Sequence, residues 1–118
     1  MPKGRRLFDE VAPRELHLTN ALAVKLLGWK IAPGRYIKPN RSWTPSWRFA
    51  PLSNLEQAFE LLHKAGGSYR LTADDRGIFQ AEVRIGDAVG TAAGKPEAKA
   101  ITVALARALG IEVNANDL

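Results

Sequence analysis

The chain contains no cysteine among its 118 residues and only two histidines, His17 and His63. The lack of cysteine excludes disulfides, thiolate nucleophiles and cysteine-ligated metal or iron–sulfur sites. Two histidines leave few ligands for zinc. A long apolar run is missing as well, because the stretch 21–27 is interrupted by Lys25 and falls short of the roughly 20 residues that span a bilayer. These absences disfavour most enzymes and membrane proteins.

A secretion signal is also missing from the N-terminal residues. Residues 1–6 are basic, but only Leu7 and Phe8 follow before the acidic pair Asp9 and Glu10. A signal peptide requires an apolar core of about seven residues or more at this place. We therefore expect the protein to stay in a cytoplasm.

What the chain does have is basic charge concentrated in its N-terminal part. Hydrophobic residues make up 46% and charged residues 25%, which is typical of one soluble domain, and the net charge is +5. Residues 1–48 contain ten basic and three acidic residues, whereas residues 49–118 contain seven basic and nine acidic ones. The first part thus carries +7 and the second −2. Such a region attracts nucleic acid or an acidic protein surface, or it serves only as solubility charge.

The order of patterns along the chain predicts a basic flexible arm over residues 1–15, a single domain over 16–111 and a polar tail over 112–118. Apolar residues at helical spacing predict a first helix from about Leu16 to Leu27, with Gly28 at its end. A second helix is expected after the capping box that Ser53 and Glu56 would form.

The second half alternates apolar and polar residues with the period of a β-strand. This alternation predicts three antiparallel strands joined by tight turns, at about 68–73, 79–85 and 88–92, and an alanine-rich helix able to lie close to a sheet. The fold class is therefore α+β: an antiparallel β-sheet sandwiched between α-helices, in the order helix, extended segment, helix, three-strand meander, helix. The third strand, if it lies at an edge, offers a place for a second chain to pair, so the oligomeric state stays open.

The stretch 29–49 has the most unusual composition. It contains all three tryptophans, and its prolines and glycine favour short extended pieces at 29–32, 36–38 and 43–49. We expect Trp29, Trp43 and Trp47 to close the small core, with the basic residues of the stretch at its rim. The alternative is a surface on which aromatic rings stack bases while Arg and Lys neutralise phosphates.

A search for catalytic groups finds no constellation. His63 occupies a polar position of the second helix without a nearby serine motif, and His17 begins the first helix. Asp74 and Asp75 resemble a carboxylate pair, but Gly77 favours a hairpin turn there. The glycines at 86, 90 and 94 match no phosphate-binding loop. We expect a protein that is not an enzyme, with no catalytic residues, no metal site and no cofactor.

The C-terminal half resembles a double-stranded-RNA-binding domain in outline, with a helix, a meander and a last helix. That family contacts phosphates through a dense lysine cluster at the start of its last helix. Here Pro96 and Glu97 leave only Lys95 and Lys99 at the comparable place. The turn before the second strand is acidic, which further weakens phosphate binding.

A longer resemblance covers residues 18–110. The junction Leu27-Gly28-Trp29, the later segment 49–53 with its Pro-Leu-Ser, the helix 55–62 and the alanine-rich run 92–109 are similar to the phage ABA sandwich domain. This resemblance implies a sheet held between helices in a small protein encoded by a phage or prophage, acting in the host bacterial cytoplasm. It implies no catalytic or ligand-binding residues.

The sequence therefore favours a non-enzymatic phage accessory protein that binds a host or phage macromolecule. A host or phage protein is the expected partner, and inhibition of a host machine or defence system is one role that such binding would have. Nucleic acid is the alternative partner, bound by the basic N-terminal half or by the C-terminal half. The candidate partner-binding residues are basic: Arg5, Arg6, Lys30, Arg35, Lys38, Arg41 and Arg48.

Overall fold

The computed structural model describes residues 13–113, which form three helices and two three-stranded antiparallel sheets. The α+β class and the predicted order of elements are confirmed. The helices are α1 (Pro13–Leu27), α2 (Leu55–Ala65) and α3 (Glu97–Ala108). The strands are β1 (Lys30–Ala32), β2 (Arg35–Ile37), β3 (Trp43–Pro45), β4 (Ser68–Ala73), β5 (Phe79–Ile85) and β6 (Ala88–Gly94).

Helix α1 starts at Pro13, three residues before the predicted start, so the last residues of the predicted arm are helical. Residues 1–12, with Arg5 and Arg6, and most of the predicted tail lie outside the described residues. Of the described helices, none is long and apolar enough to cross a membrane.

Strands β4, β5 and β6 form the predicted meander, in which β5 is the central strand. Residues paired across two strands lie on the same face of the sheet, and Leu71 pairs with Ala81 while Tyr69 pairs with Val83. Ala81 and Val83 are buried, whereas their neighbour Gln80 is exposed. The period-two alternation thus describes one face against the core and one open to solvent.

Helix α3 is the centre of the domain, because nine of its twelve residues are buried. The inner face of the meander packs against one side of α3, and α2 packs beside it. On another side, the Thr102 hydroxyl donates a hydrogen bond of 2.9 Å to the carbonyl of Pro51. The alanines of α3 allow the sheet to come so close that a Cβ atom on Gly90 would lie 2.1 Å from the Ala104 carbonyl oxygen. The predicted close approach of helix and sheet is confirmed.

Helix α3 also holds the chain after it. The Arg107 guanidinium donates to the Thr91 carbonyl on β6 over 2.7 Å, and to the Val113 carbonyl through two nitrogens. One side chain therefore joins the helix, the outer strand of the meander and the C-terminal segment.

The cap of α2 differs from the prediction. Asn54, not Ser53, is the N-cap, and its side-chain oxygen accepts a hydrogen bond from the backbone N–H of Gln57. The Ser53 hydroxyl instead donates to the Ala50 carbonyl, so the capping box with Glu56 is wrong. The helix starts one residue later than such a box requires, and Asn is as good a cap as Ser.

The segment between α1 and α2 forms a sheet of its own, the small sheet β1–β3. The three short extended pieces predicted there pair in the order β1-β2-β3, and each strand is three residues long. Tyr36, in the central strand, is buried and packs against the core. Its phenol donates to the side-chain oxygen of Asn20, which fixes the sheet against α1.

Candidate functional site

An aromatic cluster joins the small sheet to the core. The ring centroids of Trp29, Tyr36 and Phe49 lie 5.1 to 5.6 Å from one another. These distances are in the range in which aromatic pairs attract beyond simple burial. Burial raises the pKa of the Tyr36 phenol, so this ring stays uncharged in the cluster. The cluster anchors the small sheet to the core.

Trp43 and Trp47 lie on the surface instead. Their side chains are 58% and 69% exposed, so the expectation that all three tryptophans close the core holds only for Trp29. The reason is register: Trp43 pairs with Ile37, whose neighbour Tyr36 points to the core, so Trp43 belongs to the outer face. Trp47 lies in the short 3-10 helix Ser46–Arg48, which has no buried residue. Tyr36 and Phe49 take the core positions.

A cation lies over each tryptophan. The Arg35 guanidinium carbon is 5.5 Å from the ring centroid of Trp43, and that of Arg48 is 5.1 Å from the ring centroid of Trp47. These distances are within cation–π range. No acidic residue occurs between positions 29 and 49. One segment of the chain thus supplies two exposed rings and three cations, which we call the tryptophan surface: Lys30, Arg35, Trp43, Trp47 and Arg48.

The structure divides the five candidate residues that it describes between three places. Lys30 and Arg35 belong to the outer face of the small sheet. Lys38 and Arg48 line a groove beside it. Arg41 lies in the exposed loop between β2 and β3 with φ of 74°, a left-handed conformation that non-glycine residues rarely adopt.

The groove has a volume of about 400 Å³ and lies between the small sheet, the 3-10 helix and α2. Its wall includes Trp29, Lys38, Arg48 and two residues that the sequence did not single out, Gln57 and Lys64. Gln57 joins the elements, because its amide accepts from Ala50 N–H and donates to the Arg48 carbonyl, both over 2.7 Å. Lys64 looks like an ordinary surface residue of α2 in the sequence, and only the fold brings it to this place.

A second cavity, of about 590 Å³, lies along the solvent face of the meander. Its lining carries charges of both signs, with Arg70 and Arg107 beside Glu82. It thus differs from the tryptophan surface, whose segment 29–49 contains no acidic residue.

The residues considered for catalysis or metal binding lie outside the groove and the tryptophan surface. His63 is exposed on α2. Asp74 forms the predicted turn, since its carboxylate accepts from the N–H groups of Ile78 and Arg76, and these bonds hold its pKa below the ordinary value, the one from Ile78 most strongly. Within residues 13–113, no three acidic or histidine side chains come together in a way that suits a metal ion.

The half from α2 to α3 has the element order of a double-stranded-RNA-binding domain: helix, three antiparallel strands, helix. The start of α3 nevertheless carries only two lysines, Lys95, which is exposed, and Lys99. The Lys99 ammonium lies 3.9 Å from the Glu15 carboxylate, and Glu97 stands in the first turn. That this half binds phosphates poorly stays a prediction.

The fold and the surface define a small α+β domain with a basic, tryptophan-bearing side sheet. A solved structure shares this fold: a phage protein from Bacillus cereus ATCC 14579 superimposes with a TM-score of 0.69 and 20% sequence identity, over 93% of this chain and 100% of that one. No protein-family model matches the chain, and no curated protein matches it. The resemblance to the phage ABA sandwich domain therefore stays a prediction.

Proposed function

We propose that the chain is a phage or prophage accessory protein, without catalytic activity, that binds single-stranded nucleic acid in the host bacterial cytoplasm through its tryptophan surface. The fold shared with a Bacillus cereus phage protein supports the phage origin. The exposure of Trp43 and Trp47 next to Arg35 and Arg48 carries the binding role.

The chemistry of the surface favours a polyanion with aromatic groups. Two exposed tryptophan rings present flat apolar faces that a ligand with aromatic groups can cover. Bases stack on such rings, and each stacked base contributes about 1–3 kcal/mol. The guanidinium groups beside the rings supply the phosphate contacts, and no carboxylate within residues 29–49 opposes them.

A single strand fits better than a duplex. Stacking on a side chain needs a base whose face is free, which a duplex does not offer. The small sheet has three strands of three residues each, too short an element to follow a duplex groove. The last helix, which would contact a duplex in a double-stranded-RNA-binding domain, has Lys99 engaged with Glu15.

A protein partner, inhibited or otherwise, is the second candidate. Tryptophan and arginine are the residues that most often dominate the binding energy of protein interfaces. The same tryptophan surface fits an acidic protein for this reason. Because both candidates use this surface, competition does not separate them; direct binding of an oligonucleotide by the purified protein does.

The test is fluorescence anisotropy with a labelled oligothymidylate of about 15 nucleotides, long enough for one small domain. We expect binding that weakens steeply with added salt because phosphate contacts release counterions. Trp43→Ala and Trp47→Ala should each lower affinity by about tenfold, the effect of losing one stacked base.

The matched control is Tyr69→Ala, which removes an exposed aromatic ring, 51% accessible, from the meander. It should leave the affinity unchanged. Equal loss in all three variants, or no binding of the oligonucleotide at low salt, contradicts the proposal. In the latter case a tagged pull-down from infected cells, compared between the wild type and Trp47→Ala, tests the protein partner.

A further inference from the structure

The groove beside the tryptophan surface has the size and lining of a ligand site. Its volume of about 400 Å³ lies within the range of roughly 300–1,000 Å³ that small-molecule sites occupy. Apolar side chains, among them Leu27, Leu61 and Phe49, form part of its wall. Polar groups from separate elements complete the wall, so the groove combines apolar and polar lining as ligand sites do.

The charges in this groove select an anion. Lys38 follows β2, Arg48 ends the 3-10 helix, and Lys64 lies in the last turn of α2. Three elements that are separate in the sequence thus bring three cations to one place. Glu60 is the one carboxylate among the lining residues, so the groove carries an excess of two positive charges.

The walls of the groove are held in position by the protein itself. Both ends of the Gln57 amide are used, on Ala50 N–H and on the Arg48 carbonyl, so the backbone that carries Arg48 is tied to α2. Trp29 is held by Tyr36 and Phe49, and the Lys38 ammonium lies 5.3 Å from the centroid of its ring. A wall that is already in place loses little entropy when a ligand binds.

The groove is continuous with the tryptophan surface through Arg48, which lies over Trp47 and also lines the groove. A strand stacked on Trp47 therefore has the groove next to it. A phosphate monoester carries a charge of about −1.5 to −2, more than the single charge of each phosphodiester along the strand. The excess of positive charge suits this group best.

We infer that the groove binds the phosphate monoester of a nucleotide, either at the end of a bound strand or in a free mononucleotide. The first source rests on the proposed function; the second does not. Lys64 distinguishes the groove from the tryptophan surface, because it lines the groove but lies on α2 and not on the small sheet.

The experiment compares two oligothymidylates that carry the dye at the 3′ end and differ only at the 5′ end, which is either phosphorylated or a free hydroxyl. A third and a fourth strand carry the dye at the 5′ end and vary the 3′ end in the same way. We expect one phosphorylated strand to bind about five- to tenfold more tightly than its hydroxyl partner, the gain of one charge-assisted contact. Lys64→Ala should abolish this gain and leave the affinity for the hydroxyl strand nearly unchanged.

Two further variants sharpen the test. Glu60→Gln removes the opposing carboxylate and should increase the gain from the terminal phosphate. Lys25→Ala removes an exposed cation from α1, outside the groove, and should not alter it. Titration calorimetry with thymidine monophosphate measures the affinity for a free mononucleotide. If Lys64→Ala weakens this binding, the result supports the groove as a nucleotide site even if no strand binds.

The inference is overturned if terminal phosphorylation changes no affinity and the mononucleotide does not bind. It is also overturned if Lys64→Ala and Lys25→Ala have the same effect. In either case the proposed function still stands if the hydroxyl strand binds and its binding depends on Trp43 and Trp47. The two failures are therefore distinguishable.

Discussion

The two sheets of this domain use their side chains in opposite ways. The meander β4–β6 places small residues such as Gly90 against α3 and pairs one outer arginine, Arg84, with Glu82. The small sheet β1–β3 buries only one large ring, Tyr36, and leaves Trp43 and positive charge in water. The meander therefore packs into the fold on one face, whereas the outer face of the small sheet stays exposed to solvent.

The largest expected effect concerns the contact between β6 and α3. A Cβ atom in Gly90→Ala would meet the Ala104 carbonyl at 2.1 Å and the Ala108 nitrogen at 2.4 Å, both of them backbone atoms. Backbone cannot move aside as a side chain does, so we expect a loss of about 3 kcal/mol or more, or failure to fold. Urea unfolding followed by circular dichroism measures this loss.

Gly34→Ala in the small sheet is the matched control. Gly34 has φ of 71° and no atom within 4 Å of the added Cβ, so the cost is only the backbone strain of about 1 kcal/mol. Equal losses in the two variants would contradict the view that close packing distinguishes the meander.

The next effect separates the tryptophans within the small sheet. Trp29→Ala removes a ring that packs on Tyr36 and Phe49, and we expect it to lower the free energy of unfolding by about 2–3 kcal/mol. Trp47→Ala removes an exposed ring and should change it by less than about 0.5 kcal/mol. Thermal unfolding of both variants tests the assignment, and a large loss in Trp47→Ala would place that ring in the core.

A smaller effect of opposite sign is expected in the loop between β2 and β3. Arg41 holds a φ of 74°, which costs a non-glycine residue about 1 kcal/mol. Arg41→Gly should therefore stabilise the fold by about 0.5–1 kcal/mol while it removes a cation next to the tryptophan surface. Arg41→Ala removes the same cation and keeps the strain, so a gain in this variant too would show that charge repulsion, not backbone strain, is relieved.

The smallest effect is a pH dependence in the turn before β5. Hydrogen bonds from Ile78 and Arg76 lower the pKa of Asp74 in the folded state, so the ionised form stabilises the fold. This stabilisation is present above the unfolded-state pKa and is lost as pH falls through the lower folded-state pKa. Asp74→Asn keeps an acceptor oxygen but does not titrate, so its stability should fall less than that of the wild type between about pH 5 and pH 2. Parallel pH profiles of the two proteins would contradict this assignment.

The sequence predicted most of the fold because the patterns involved are local. Alternation along β5 and the helical spacing of apolar residues in α2 and α3 depend only on neighbouring positions. The start of α2 was missed by one residue, since Ser53 and Asn54 are both good caps and tertiary contacts decide between them.

The site was predicted only in its composition. The basic and aromatic content of residues 29–49 is visible in the sequence, but a strand of three residues has no alternation long enough to show which side faces the core. That choice depends on Tyr36, which pairs with Thr44 and is bonded to Asn20 on a different element. Lys64 joins the groove by the packing of α2, which no local pattern describes.

The bond from Arg107 to the Thr91 carbonyl bears on self-association. An antiparallel sheet with two free edges adds copies at both and grows into open-ended fibres. Here the β6 edge is interrupted in its middle by a side chain of α3, whereas β4 has no strand beside its outer edge within the described sheet. The β4 edge is therefore the better place for a second copy to pair, and the pairing of two β4 edges would give a closed dimer.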